Sequence, residues 1–290
     1  MNTQKTVEQL RELRLTGMAR RYEAALELPI HEVQDVHALI GMITQAEMEY
    51  RNHARTEKFL KASKLRYHAL PEDIICNTER NITREQILRL SDGMFIEKGE
   101  NVLISGSTGC GKSFLACALG RSSCLLGYRT QYFSMNKFLE ALAQTRLDGT
   151  YLKWIKGISA NKLLILDDFG LKPLNNDARI AMLDILEDRY GLGSTIITSQ
   201  LPVDSWHSYL ADPTLADAIL DRLTASAHRI ALTGKSLRKK KIIKFKNYHV
   251  CLVMVFAGLP GDLCAGINGV LLCGTMGYFR RNIYPVNSIR

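Results

Sequence analysis

Gly106-Ser107-Thr108-Gly109-Cys110-Gly111-Lys112-Ser113 is the stretch that decides how this chain is read. It fits GxxxxGK[ST] in full. Its context agrees, because Val102-Leu103-Ile104 before it reads as a buried strand and residues 114–126 after it as a helix. Glycines open backbone angles closed to other residues, so successive N–H groups converge on an anion at a helix N-terminus. In such a loop Lys112 reaches the β- and γ-phosphates of a nucleotide, and the Ser113 hydroxyl ligates Mg2+. Cys110 reads as a small filler whose backbone is what matters.

Some fifty residues downstream, Leu163-Leu164-Ile165-Leu166-Asp167-Asp168 runs four apolar residues into two acids. An open α/β sheet places its ligand where a buried strand emerges at its C-terminal end. Asp167 is therefore expected to hold hydrated Mg2+, and Asp168 to orient or deprotonate the attacking water. Aspartate is one methylene shorter than glutamate, which predicts slow unaided hydrolysis. Ile196-Ile197-Thr198-Ser199-Gln200 ends a further strand in hydroxyls and an amide. This is either a plain strand-to-loop transition or a polar turn that touches the γ-phosphate, with Gln200 as candidate. Asp221-Arg222-Leu223 follows a helical run, residues 214–220. Arg222 either pairs with a nearby acid or is offered to the γ-phosphate of a neighbouring subunit. His207, beside Trp206, reads as packing, and no Ser/His/Asp or Cys/His constellation is present.

Around these motifs, strand-like runs (130–133, 162–166, 194–198) alternate with helical patterns (136–144, 177–190), the signature of an α/β domain with a parallel sheet. The N-terminal part reads as helical instead. Thr6-Val7-Glu8-Gln9 has the form of a capping box, followed by apolar residues at helical spacing to Leu26. A second helix is expected over residues 36–65. Its later half carries Arg51, Arg55, Lys58, Lys61, Lys64 and Arg66, with Glu47, Glu49 and Glu57 interleaved. That face is either solvated or in contact with phosphates. Pro71 and Glu79-Arg80-Asn81 mark a boundary, giving a helical segment 1–78, a nucleotide-binding domain 79–241 and a tail 242–290.

At 290 residues, 46% hydrophobic and 23% charged, the chain is neither collagen-like, disordered nor a disulfide scaffold. Its net charge of +9 would hint at nucleic acid, but all of the excess lies in residues 235–290, with ten Lys and Arg against one acid. Seven cysteines, odd in number and without a CxxC pair, together with an N-terminus lacking an apolar h-region, point to reduced thiols in a cytoplasm. Residues 251–259 are apolar, but Pro260, Gly261 and Asp262 interrupt well short of the about 20 residues a membrane span requires. No membrane association is expected.

GSTGCGKS (106–113), LLILDDFG (163–170), STIITSQLPVDSW (194–206), AILDRL (218–223) and LRLTGMARRY (13–22) together resemble the IstB-like family. These are AAA+ helper ATPases of bacterial insertion sequences, kin of the DnaC helicase loaders. The resemblance covers roughly residues 1–241. It implies ATP rather than GTP, a homo-oligomer on double-stranded DNA, and stimulation of a transposase. A replicative helicase as partner, or a scaffold that holds ATP with little turnover, stays open. Residue by residue, it implies a Walker A loop at 106–113 and Walker B acids at Asp167 and Asp168. It also implies a sensor I in the turn 198–200, an arginine finger at Arg222 and a sensor II at Arg238. Gln200 stands where Asn is common in the family. The apolar, acid-poor residues 242–290 depart from the family and read as read-through translation, a packed extension, or a membrane or partner contact.

Overall fold

The computed structural model describes residues 3–27 and 35–237; the expectations for Arg238 and the tail 242–290 lie outside the described residues. The order of elements is α1 (Thr3–Glu12), α2 (Thr16–Leu26), α3 (Val36–Ser63), α4 (Arg84–Ser91), α5 (Met94–Glu97), β1 (Asn101–Gly106), α6 (Lys112–Leu125), β2 (Thr130–Ser134), α7 (Met135–Leu147), α8 (Tyr151–Ser159), β3 (Leu163–Phe169), α9 (Asn176–Arg189), β4 (Ser194–Ser199), α10 (Trp206–Leu210), α11 (Pro213–Thr224) and β5 (Ala227–Leu232). Five strands form one sheet in the order β2-β3-β4-β1-β5, every neighbouring pair parallel.

Strand alternation divides the core between the two faces of the sheet. Val102, Ile104, Leu163, Ile165, Ile196 and Ile230 pack with α6 residues such as Leu115 and Leu119. Leu103, Leu164, Leu166 and Ile197 point the other way, onto Phe138 of α7, Ile185 of α9 and Ile219 of α11. Strands covered on both faces read as continuous apolar runs, as those at Leu103 and Leu164 do. Helix starts are fixed by side chains: Asn175 accepts from the Ala178 N–H at 2.9 Å, and Asp212 from Leu215 at 3.0 Å with Pro213 in the first turn. A capping box is present at Thr83 and Gln86 of α4. The one expected at Thr6 is not, because α1 already begins at Thr3 and Thr6 lies inside it.

The helical run expected up to Leu26 is broken at Arg14, whose φ of 58° separates α1 from α2. Gly17 at the start of α2 lies against α3 so closely that a Cβ there would meet the Ala46 carbonyl and Glu47 Cα. Glu47 caps α2 from 30 residues away, its Oε2 accepting from Gly17 N at 2.7 Å and Met18 N at 3.2 Å. Burial by itself would raise this carboxyl, but the bonds from Arg51, Met18 and Gly17 outweigh it and hold its pKa below the usual value. Glu47 is thus a buried cap and not part of a solvated charged face. Beyond it, the C-terminal end of α3 packs on α6 and β2, which carries the N-terminal helices up to the sheet.

Candidate nucleotide site

The site is assembled where β1, β3 and β4 end. β1 lies between β4 and β5, and its chain leaves the sheet into residues 107–111 before α6 begins at Lys112. Gly109 and Gly111 take φ values of 84° and 95°, a region that L side chains rarely enter. A Cβ on Gly109 would run into Ser236, so the loop is also tightly covered. Lys112 is only 5% exposed and donates from Nζ to the carbonyls of Gly106 at 2.8 Å and Ser107 at 2.9 Å. Its charge is therefore held at the mouth of the loop's own backbone.

Two further segments fix that backbone. Buried Arg80 donates to the Cys110 carbonyl and, at 2.7 Å, to the Ile75 carbonyl. After β5 the chain returns, and the Leu237 N–H donates to the Gly109 carbonyl at 2.9 Å. Cys110 is fully buried, in keeping with a filler role.

The acids come from β3. Asp167 is 0% exposed and accepts four contacts. Ser113 Oγ donates to Oδ1 at 2.8 Å and Thr198 Oγ1 also donates to Oδ1, while Tyr132 Oη donates to Oδ2 at 2.6 Å. Arg66 Nη1 lies 3.7 Å from Oδ2. Burial and the adjacent carboxylate push the Tyr132 phenol far up, so it is a fixed donor at any physiological pH. Asp168 follows at a register shift between β3 and β4, with φ 65°. Its N–H donates to Thr198 Oγ1 at 3.1 Å, and its Oδ2 lies 3.5 Å from Arg66 Nη1. A non-glycine residue in that conformation carries strain, and such strain gathers where geometry serves chemistry.

β4 closes the site. Thr198 touches both acids, and Gln200 Oε1 accepts from Thr108 Oγ1 of the phosphate loop at 2.8 Å. The turn 198–200 thus joins loop and acids. Arg222 does not belong to this assembly. Its guanidinium pairs with Glu187 at 2.7 Å and donates to the Ala218 carbonyl at 3.0 Å, and its side chain is 29% exposed. Asn101, the first residue of β1, bonds the Arg222 carbonyl at 3.1 Å, whereas the loop leaves the last residue of that strand. Five residues at about 3.3 Å each put roughly 17 Å between them. Of the expected residues, the loop, Lys112, Ser113, Asp167, Asp168 and Gln200 come together; Arg222 stands apart.

Tyr132, Arg66 and Arg80 escaped the sequence reading. Nothing distinguishes Tyr132 from other strand aromatics until β2 pairs with β3. Arg66 and Arg80 sat within charged runs whose neighbours face solvent.

The donor set is all oxygen, hard and partly carboxylate, as Mg2+ requires, and the glycine loop with Lys112 and the α6 N-terminus suits phosphates. A parallel sheet with the phosphate loop after β1 and paired acids at the end of β3, one strand removed, defines an ATP-binding P-loop protein of the AAA+ class. Within that class, the chain belongs to the family of the IstB-like ATP binding protein, whose sequence profile matches residues 8–244. It is 42% identical over 236 residues to a putative insertion sequence ATP-binding protein of Sinorhizobium fredii, covering 81% of this chain and 96% of that one. To the putative ATP-binding protein of insertion sequence IS1162 from Pseudomonas fluorescens it is 37% identical, covering 70% and 88%. The crystal structure of DnaI shares the fold, with a TM-score of 0.50 and 20% identity over 62% of this chain and 92% of that one. Among the described residues, no helix is long and apolar enough to cross a membrane.

Proposed function

We propose that this protein is a DNA-dependent ATPase that assembles as a homo-oligomer on double-stranded DNA and assists the transposase of an insertion sequence. The observation that carries the reading is the convergence of Ser113, Thr198 and Tyr132 on Asp167, with Asp168 held in its left-handed conformation beside them. The insertion-sequence relatives supply the biological setting.

In this reading Ser113 and Asp167 hold Mg2+, which supplies charge neutralisation across the phosphates. Lys112 and the loop N–H groups bind the β- and γ-phosphates, and Asp168 accepts the proton of the water it orients. Gln200, linked to Thr108, reports the γ-phosphate to the loop. The helical residues 1–78 make the DNA and partner contacts, and the site works in the cytoplasm.

The test is turnover of ATP and of GTP, with and without duplex DNA, in the native chain and two variants. Lys112→Ala is expected to abolish nucleotide binding. Asp168→Asn is expected to keep binding and lose turnover about 100-fold or more, the lower range for a general base. Normal hydrolysis by Asp168→Asn would remove Asp168 from its role. Native binding without turnover, with or without DNA, would favour an ATP-gated scaffold, a reading that the short Asp168 carboxylate keeps in view. A native chain that binds a replicative helicase rather than the adjacent transposase would be a loader.

A further inference from the structure

We propose that Arg66 is the contact through which the N-terminal helices sense the metal–nucleotide site: its guanidinium occupies the Asp167/Asp168 pair and has to be exchanged for Mg2+ when nucleotide binds. The proposal rests on the reading of these two acids as the metal site.

Arg66 is placed by a short path from the N-terminal segment. α3 ends at Ser63, and Lys64 turns the chain with φ 53°. Leu65 then lies on Gly120 of α6, close enough that a Cβ on that glycine would meet Leu65 Cδ2 at 2.9 Å. Tyr67 packs its ring 6.3 Å from Phe114 of the same helix. Between them, the Arg66 and Tyr67 backbone N–H groups lie against the buried Cys117 thiol. Residues 65–67 are thus a strap laid across the helix that starts at the phosphate loop.

The side chain leaves this strap toward the acids. Nη1 is 3.5 Å from Asp168 Oδ2 and 3.7 Å from Asp167 Oδ2. These distances are those of an ion pair and not of aligned hydrogen bonds, and the side chain is 44% exposed. Its guanidinium also lies 5.3 Å over the ring of Tyr67 and against the Tyr132 hydroxyl, so leaving the acids costs a screened ion pair and the Tyr132 contact. A guanidinium and a divalent ion cannot both neutralise the same two carboxylates at this range, because they repel one another in a site with one buried wall. Either the metal fails to bind or Arg66 moves, and Arg66 is joined by one residue pair to the end of a 28-residue helix. Exchange at the acids becomes a change at the strap. By linkage, whatever holds the α3 end in place opposes metal–nucleotide binding, and whatever releases it favours binding.

The experiment measures the Mg2+ dependence of fluorescent ATP-analogue binding to the full chain, with hydrogen exchange of the 65–67 amides followed in parallel. For Arg66→Ala the Mg2+ midpoint should fall about two- to fivefold, the scale of an exposed ion pair. Binding in EDTA should stay the same, and Arg66→Lys should lie close to native. In the native chain the 65–67 amides should exchange faster with Mg2+ and nucleotide together than with nucleotide in EDTA. An unchanged midpoint with unchanged exchange would overturn the proposal; a raised midpoint would do so too, and would make Arg66 a phosphate ligand. Should Arg66→Ala fail to fold, Arg66→Gln, which keeps most of the stem and removes the charge, is read in its place, and the native exchange experiment decides independently. A native chain whose nucleotide binding ignores Mg2+ altogether would instead strike at the metal-site reading beneath it.

Discussion

Asp167 has no exposed surface, yet its two oxygens are met by hydroxyls of three different elements, α6, β4 and β2. Three donors on one side chain fix its orientation, so the carboxylate is already aimed before any ion arrives. Thr198 is the residue that ties the pair, donating to Asp167 and accepting the Asp168 N–H. Thr198→Val keeps the shape and deletes the hydroxyl, leaving one acceptor short and one buried donor unpaired. The expected cost is about 1–3 kcal/mol. It should be read as a lower urea midpoint with unchanged slope, and Thr198→Ser should restore most of it. A Thr198→Val protein of native stability would mean that water replaces the hydroxyl. In the sequence, the loop and both acids were legible because their chemistry demands fixed residue types at fixed spacing. Thr198 was visible only as one of three polar residues in a turn. The register shift that separates it from the others cannot be read from the residue types.

At the scale of elements, the strands of the core were legible as continuous apolar runs, and each lies within a residue or three of its expected position. β5 was not, because Ala227-His228-Arg229-Ile230-Ala231-Leu232 is an edge strand with polar residues facing out. α8 went unread too: Tyr151–Ser159 is a nine-residue helix with no capping side chain. Glu47 was read as part of a charged face because nothing local tells a buried cap from a solvated acid. Its partners lie 30 residues earlier in the chain. That placement has a pH signature. The folded pKa of Glu47 lies below its ordinary value of 4.5, so its contribution is complete above that value and is lost as pH falls below it. Glu47→Gln should destabilise α2 by about 1–2 kcal/mol at pH 7. Thermal unfolding of the two proteins should converge as pH falls through the folded pKa, which lies below 4.5. A difference that persists undiminished there would assign the effect to packing against Gly17 and not to charge.

For the molecule as a whole, the position of Arg222 matters most. Its main chain is bonded to the first residue of β1, at the end away from its own phosphate loop, and its guanidinium is turned to Glu187, so it stands apart from its own nucleotide site. If it acts on nucleotide, it acts on a second copy. Arg222→Ala is then expected to keep ATP binding and lose DNA-stimulated turnover about a thousandfold, as for an arginine finger. Mixed with Lys112→Ala, it should regain a fraction of that turnover, since one interface in the mixture again holds both groups. No recovery on mixing, with each variant folded, would leave Arg222 as a partner of Glu187 alone. The sequence offered a pair with a nearby acid or a finger for a neighbouring subunit; the structure shows an acid partner in Glu187, and the mixing experiment decides on the second.

Leu237, the last described residue, hydrogen-bonds the phosphate loop at Gly109. Ser236 fills the space over the Cα of the same glycine, so loop and strand end share one seam. A chain cut before Ser236 would lose both contacts and leave the Gly109 carbonyl without that donor. Its nucleotide affinity would then be that of a loosened cradle, and the ratio to the full chain's affinity is the worth of the seam.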